Sequence, residues 1–287
     1  MSRYLAADFK RIFEKKYNLI FIFLLFSFIA LIDGVMAYQY FNSGSEFGVA
    51  QTLNFGSVSI STARDNISGI FMLLAFNAIF ATSFIVMLIM STLVRGDEQK
   101  ERGFLRAVES GISRTDIVIV KFILLVAVSF ILLIGALIFH FVLVAMLFGM
   151  ESENILLIKE FIKIFSLYII PLINLLALSE LLYIAIKQEL LVGFLYAVVG
   201  IILPNIIKLL LTITNIRSEV VLKILSYHPA SILTGLNNTV ISSVFMKEGM
   251  SIYKVVPDLS LKIFVNAVLI MILIVMCIFT MNRRNLD

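Results

Sequence analysis

Long apolar runs separated by short polar breaks dominate this chain. A helix crossing a hydrocarbon core of about 30 Å needs roughly 20 apolar residues. Runs meeting that length fall at about 19–40, 70–94, 117–147, 161–186, 190–213 and 261–281. None shows the short alternating segments of a transmembrane barrel. The bilayer core holds no water for open backbone groups, so each run closes its own hydrogen bonds as a helix. The pattern predicts an all-α integral membrane protein, a single domain over 1–287 with six transmembrane helices.

A different pattern precedes the first run. Leu5, Phe9, Ile12, Phe13 and Tyr17 fall on one helical face, and Asp8, Lys10, Arg11, Glu14 and Lys15 on the other. This predicts an amphipathic interfacial helix over about 3–17, lying in the headgroup plane. That periodicity sets it apart from the leading region of a cleaved signal peptide, although Val35-Met36-Ala37 has the small-residue form of a cleavage site.

The breaks between runs predict the connections. Residues 41–69 are rich in Ser, Gly and Asn and read as a flexible loop. Only Lys187-Gln188-Glu189 separates the fourth and fifth runs, which therefore pack as an antiparallel hairpin. The loop at 214–260 is long and semi-apolar. Its two apolar pieces, 220–225 and 230–245, are split by His228-Pro229 and read as short helices dipping part-way into the outer leaflet. Pro171 and Pro204 lie inside runs and predict kinks. Glu180, about two turns from the end of the fourth run, is expected to snorkel or pair locally, and His140 to sit at the interface.

Composition agrees with the bilayer assignment. Hydrophobic residues make up 61% of the chain and charged residues 15%, too few polar groups to cover a soluble domain. Charge then orients the spans. Arg3, Lys10, Arg11, Lys15, Lys16, the basic residues of 95–121, Lys187, Arg283 and Arg284 gather at one set of ends. The positive-inside rule places both termini and the 95–116 linker in the cytoplasm, with 214–260 outside. The net charge of +4 is thereby explained by anionic headgroups, and no soluble basic face is present for nucleic acid. The single cysteine, Cys277, excludes an intrachain disulfide, and two distant histidines exclude a zinc-protease helix motif. No phosphate-binding Gly-rich loop ending in Lys-Ser/Thr is present, so the chain is not expected to hydrolyse ATP itself. Clustered His, Asp or Glu at one depth, which an intramembrane enzyme needs, are likewise lacking in the sequence.

The linker between the second and third runs carries the most information. From Asp97 to Ser110, charges that include Glu98 and Glu101 surround an apolar stripe of Leu105 and Val108, flanked by Phe104. Gly111 is placed to end a short helix as a left-handed cap. Ser113-Arg114-Thr115-Asp116 has the form of a capping box opening the third span. A helix so joined to a span transmits force rather than absorbing it.

Glu101, Gly103, Leu105, Ser113, Arg114, Ile117 and Lys121 together resemble the linker of type-2 exporter permeases of the ATP-binding cassette (ABC) superfamily. Ile112 stands where many members have Pro, and Arg106 where many have Glu. The resemblance implies a bacterial cytoplasmic-membrane permease that works as a homodimer or beside a sister permease. It implies two copies of a separate ATPase subunit, with ATP and Mg bound there and no cofactor on this chain. Glu98, Glu101, Gly103, Phe104, Leu105, Val108, Ser113 and Arg114 would form the coupling surface. The first, second and fifth spans would line the cavity, where Asn77, Thr82, Ser83 and Asn205 are the polar candidates. An apolar, Phe-rich lining suits a hydrophobic or amphipathic cargo, such as an antimicrobial peptide or peptide toxin, with a lipid-like drug next. A secondary transporter is the alternative, although paired broken helices and midplane charges are sparse. Asp33 and Lys208, at roughly 24 and 27 Å from the cytoplasmic ends of their spans by helical rise, are candidates for an ion pair at the outer gate.

Overall fold

The computed structural model describes residues 2–43, 48–53, 56–61, 107–149, 152–186, 188–213, 218–233, 236 and 258–283. The run at 70–94 and linker residues 95–106 lie outside them. The described residues are almost entirely helical: α1 (Ser2–Glu14), α2 (Lys16–Ser43), α3 (Arg114–Phe148), α4 (Ser152–Ala185), α5 (Glu189–Ala197), α6 (Leu203–Ile213), α7 (Glu219–Ser226) and α8 (Leu259–Arg283). The exception is an antiparallel hairpin, β1 (Gly48–Leu53) with β2 (Gly56–Ser61), in register from Gly48 opposite Ser61 to Leu53 opposite Gly56. It replaces part of the loop expected at 41–69. Alternation along Ser57-Val58-Ser59-Ile60-Ser61 is the local reason, since period-2 patterning fits a strand and not a helix.

Five helical stretches are long and apolar enough to cross a membrane: Asn18–Val35, Arg114–Phe148, Phe165–Ala185, Leu190–Leu211 and Leu259–Arg283. They correspond to five of the six predicted runs; the sixth, 70–94, is outside the described residues. Within an apolar 18-residue stretch of each helix, 56% of residues are buried in α3 and 61% in α4, against 12% in α2 and 11% in α8. The first two are therefore the centre of the bundle. The others present an apolar face outward, with Phe23, Phe28 and Leu31 on α2 and Met271, Val275 and Phe279 on α8 all exposed. Outward apolar faces are what a lipid-facing helix requires.

Side-chain pairings fix the helix directions. Phe26 meets Phe139 edge-on at 5.0 Å, Asp33 meets His140, and Phe41 stacks on Phe148 at 5.8 Å. Both series ascend, so α2 and α3 run parallel. In α4 and α8, Asn174 meets Asn266, while Leu181 and Ile184 pack in one cluster with Cys277, Ile278 and Met281. That pair is also parallel and forms the most extensive helix contact among the described elements.

The fifth span is helical throughout but not uniformly α. α5 passes through a π-helical turn, Val198–Ile202, before α6, and the Leu203 N–H bonds back to the Val198 carbonyl. Pro204 follows directly. It has no N–H for the Gly200 carbonyl, so a widened turn just before it absorbs the defect. The kink expected at Pro204 takes this form. Pro171 lies inside α4, where the helix continues through it.

Candidate functional site

The candidate site is the junction where the linker enters α3. Its last helical turn, residues 107–109, ends as the sequence predicts. Gly111 has φ of 88°, its N–H bonds the Val108 carbonyl at 2.9 Å, and the Ile112 N–H bonds the Ala107 carbonyl at 3.1 Å. This pair of bonds is a Schellman motif, which needs a residue in the left-handed region and so favours glycine. Two residues later Ser113 caps α3. Its Oγ accepts from the Asp116 N–H and donates to Asp116 Oδ2 at 2.7 Å. A helix stop and a helix start are thus fused across Gly111 to Ser113. Ala107, Val108 and Ile112 pack with Ile117, Val118, Ile184, Cys277 and Met281, sealing the turn onto the ends of α4 and α8.

Arg114 adds a contact that the sequence did not suggest. Its guanidinium donates to the carbonyls of Met281 at 3.3 Å and Asn282 at 3.0 Å. The last four carbonyls of a helix have no intrahelical donor, and they form the negative pole of its dipole. Arg114 therefore caps α8 from the first turn of α3. Half-buried Val108 likewise faces the junction cluster. Of the expected coupling residues, Glu98, Glu101, Gly103, Phe104 and Leu105 lie outside the described residues. Those that are described, Val108, Ser113 and Arg114, bind the linker to the bundle.

The third component is α1. Asp8 was placed by periodicity on the water-facing side, but its side chain is buried and ion-paired with Lys121, which is fully buried near the start of α3. Arg11 lies 3.6 Å from the other Asp8 oxygen. Ile12 is buried beside Asp8, whereas Phe9 is exposed and Lys10 pairs with Glu14 at the surface. The inward face of α1 thus runs through Asp8 and Ile12, rotated from the expected one. The cause is a partner: a buried lysine on another helix outweighs the preference of a carboxylate for water. Asn18 Nδ2 donates to the Ile12 carbonyl at 2.6 Å, capping α1 where it turns into α2.

Other expectations change as well. His140, expected at the interface, is buried between helices, and its Nδ1 lies 2.8 Å from Asp33 Oδ2. Asp33 is thereby held on α3; the side chain of Lys208, its expected partner, lies outside the described residues. Each polar ring or carboxylate satisfies in the other what the hydrocarbon cannot offer. Glu180 is buried, which favours the local pairing expected of it over snorkelling. Asn205 lies exposed on α6, while Asn77, Thr82 and Ser83 are outside the described residues. Among the described residues, no three His, Cys, Asp or Glu side chains come together to hold a metal ion.

A second polar centre, unforeseen in the sequence, joins α4, α7 and α8. Asn266 accepts from Asn174 Nδ2 at 2.9 Å and donates to the carbonyls of Tyr227 and Lys262, each at 2.9 Å. The signal available was a lone amide in each of two apolar runs, 161–186 and 261–281. Paired amides are a common means of joining membrane helices.

No protein-family model, curated protein or solved structure matches the chain. The apolar helices themselves define a membrane-embedded, multi-helix protein.

Proposed function

We propose that this chain is the permease subunit of an exporter driven by a separate ATPase, and that force enters it through the 95–116 linker. The observation that carries the reading is the fused helix stop and start at Gly111–Ser113, tied to α8 by Arg114. A solvated turn would dissipate a push. This junction has no slack, because both backbone ends are capped and its apolar side chains are packed. A movement of the linker helix would reach α3 and α8 together. The linker motif, Glu101, Gly103, Leu105, Ser113 and Arg114, supplies the class of partner: an ABC ATPase that binds ATP and Mg.

Six spans complete the proposal. The parallel directions of α2 and α3 support a return crossing in the chain between them, and 70–94 is the apolar run of the length it needs. By the distribution of Lys and Arg, the termini and linker face the cytoplasm of a bacterial cell. Cysteines at Ser45 and Ser251 should then react with an impermeant maleimide on intact cells, and one at Gln99 should not. The apolar, Phe-rich sequence of the spans that the resemblance places at the cavity supports an amphipathic cargo, with a peptide antibiotic or toxin as the leading class.

The test of function is isolation of the tagged chain from its native membrane. A Walker-type ATPase should co-purify, and Glu101→Arg or Gly103→Pro should release it without loss of the inserted permease. Retention of the ATPase by both variants would remove the linker from the coupling role.

A further inference from the structure

We propose that Asn266 is a latch: it holds the elbow between α7 and residues 229–233 against the α4–α8 pair, and its release frees α7 as an interfacial flap. The two halves of this segment differ sharply. Ala230, Ile232, Leu233 and Leu236 are buried in the core cluster with α3 and α4. On α7, Val220 and Ile224 are 69% and 66% exposed, and Leu225 is the buried residue. The docked half is thus secured by apolar packing, whereas α7 has little of it.

What holds the elbow is a hydrogen bond to a helix-end carbonyl. α7 ends at Ser226, and the carbonyl of Tyr227, its C-terminal cap residue, is one of those a helix leaves without an internal donor. Asn266 supplies that donor. Its amide is fully buried and fully used: one acceptor for Asn174, and donors for Tyr227 and for the Lys262 carbonyl of its own helix. A flipped amide would set its oxygen against two carbonyls, so the network admits one orientation. Tyr168, also fully buried, donates to the Leu233 carbonyl at 3.3 Å and fastens the docked half separately. Breaking the Asn266 bonds therefore loosens α7 and leaves 229–233 in place.

The helix bearing the latch reaches the junction. Asn266 and Met281 are separated by roughly 22 Å along α8 at about 1.5 Å per residue, and Arg114 grips the far end. An axial shift of α8 would move the latch; that drive rests on the coupling reading above. The latch itself does not, and its test uses the permease alone.

With Cys277 replaced by alanine, Leu225→Cys and Ala230→Cys are made in separate proteins, each with Asn266 or with Asn266→Ala. Maleimide labelling is followed in nanodiscs without ATPase or nucleotide. Asn266→Ala should raise the labelling rate at Leu225→Cys about tenfold, the order expected from losing a buried hydrogen-bonded centre. Ala230→Cys should stay protected. Asn174→Ala, which spares the Tyr227 bond, should give a smaller rise and serves if Asn266→Ala fails to insert. Equal rates at Leu225→Cys with and without Asn266, or parallel exposure of both positions, would overturn the latch.

Discussion

Removing either partner of the Asp8–Lys121 pair should destabilise the protein unequally. Lys121 is fully buried, and the Asp8 side chain is 9% exposed. Breaking a buried ion pair by deleting one member costs about 3–5 kcal/mol, because the other charge stays behind without its counter-ion. Asp8→Ala does this to Lys121 and should fall in that range. Lys121→Met leaves Asp8 beside Arg11, at 3.6 Å and partly exposed, so its cost should drop to about 1–3 kcal/mol. Replacing both, as Asp8→Asn with Lys121→Met, removes both charges and nearly keeps the volume. It should lie within about 1.5 kcal/mol of the parent protein. Reversible unfolding from mixed micelles, monitored by circular dichroism, reads all three. Losses below about 0.5 kcal/mol in both single variants, the level of surface pairs, would show that α1 is not docked through this contact.

Three further outcomes follow from the same geometry. Gly111→Ala should cost about 1–2 kcal/mol by forcing a β-carbon into the left-handed region; no atom lies within 4 Å of that carbon, so Gly111→Asn should recover part of it in the same unfolding assay. Arg114→Ala should cost about 1–2 kcal/mol through the uncapped end of α8, and Arg114→Lys should recover only part of that, since an ammonium lacks the planar fork. A double-mutant cycle with Asp33→Asn and His140→Phe should return a coupling of about 0.6–1.7 kcal/mol, the range of membrane hydrogen bonds, and additivity would refute the pairing.

How far the fold was legible depends on the range of the interaction responsible. Helix content follows from apolar length, a local property, and the described spans fall within a few residues of the predicted runs. The same holds for the Gly111 stop and the Ser113–Asp116 start, whose bonds join residues within five positions of one another. What failed was partnership across the chain. Asp8 and Lys121 are on different helices, as are Asp33 and His140, and periodicity sends an isolated charge toward water or headgroups because it cannot see the opposing group. Asn174 and Asn266 passed unnoticed for the same reason. The bonds from Arg114 to the Met281 and Asn282 carbonyls at the end of α8 are likewise a contact between distant parts of the chain. The hairpin at 48–61 was different: its alternation was present locally and was outweighed by the Ser and Gly content.

The most direct measurement is transport in inside-out membrane vesicles that contain the permease and its co-purifying ATPase. A fluorescent amphipathic peptide should accumulate inside the vesicles when ATP is added and be unaffected by a protonophore. Accumulation should disappear with Glu101→Arg while the amount of inserted permease stays unchanged. Accumulation that proceeds without ATP and collapses with the protonophore would contradict the account and identify a secondary transporter.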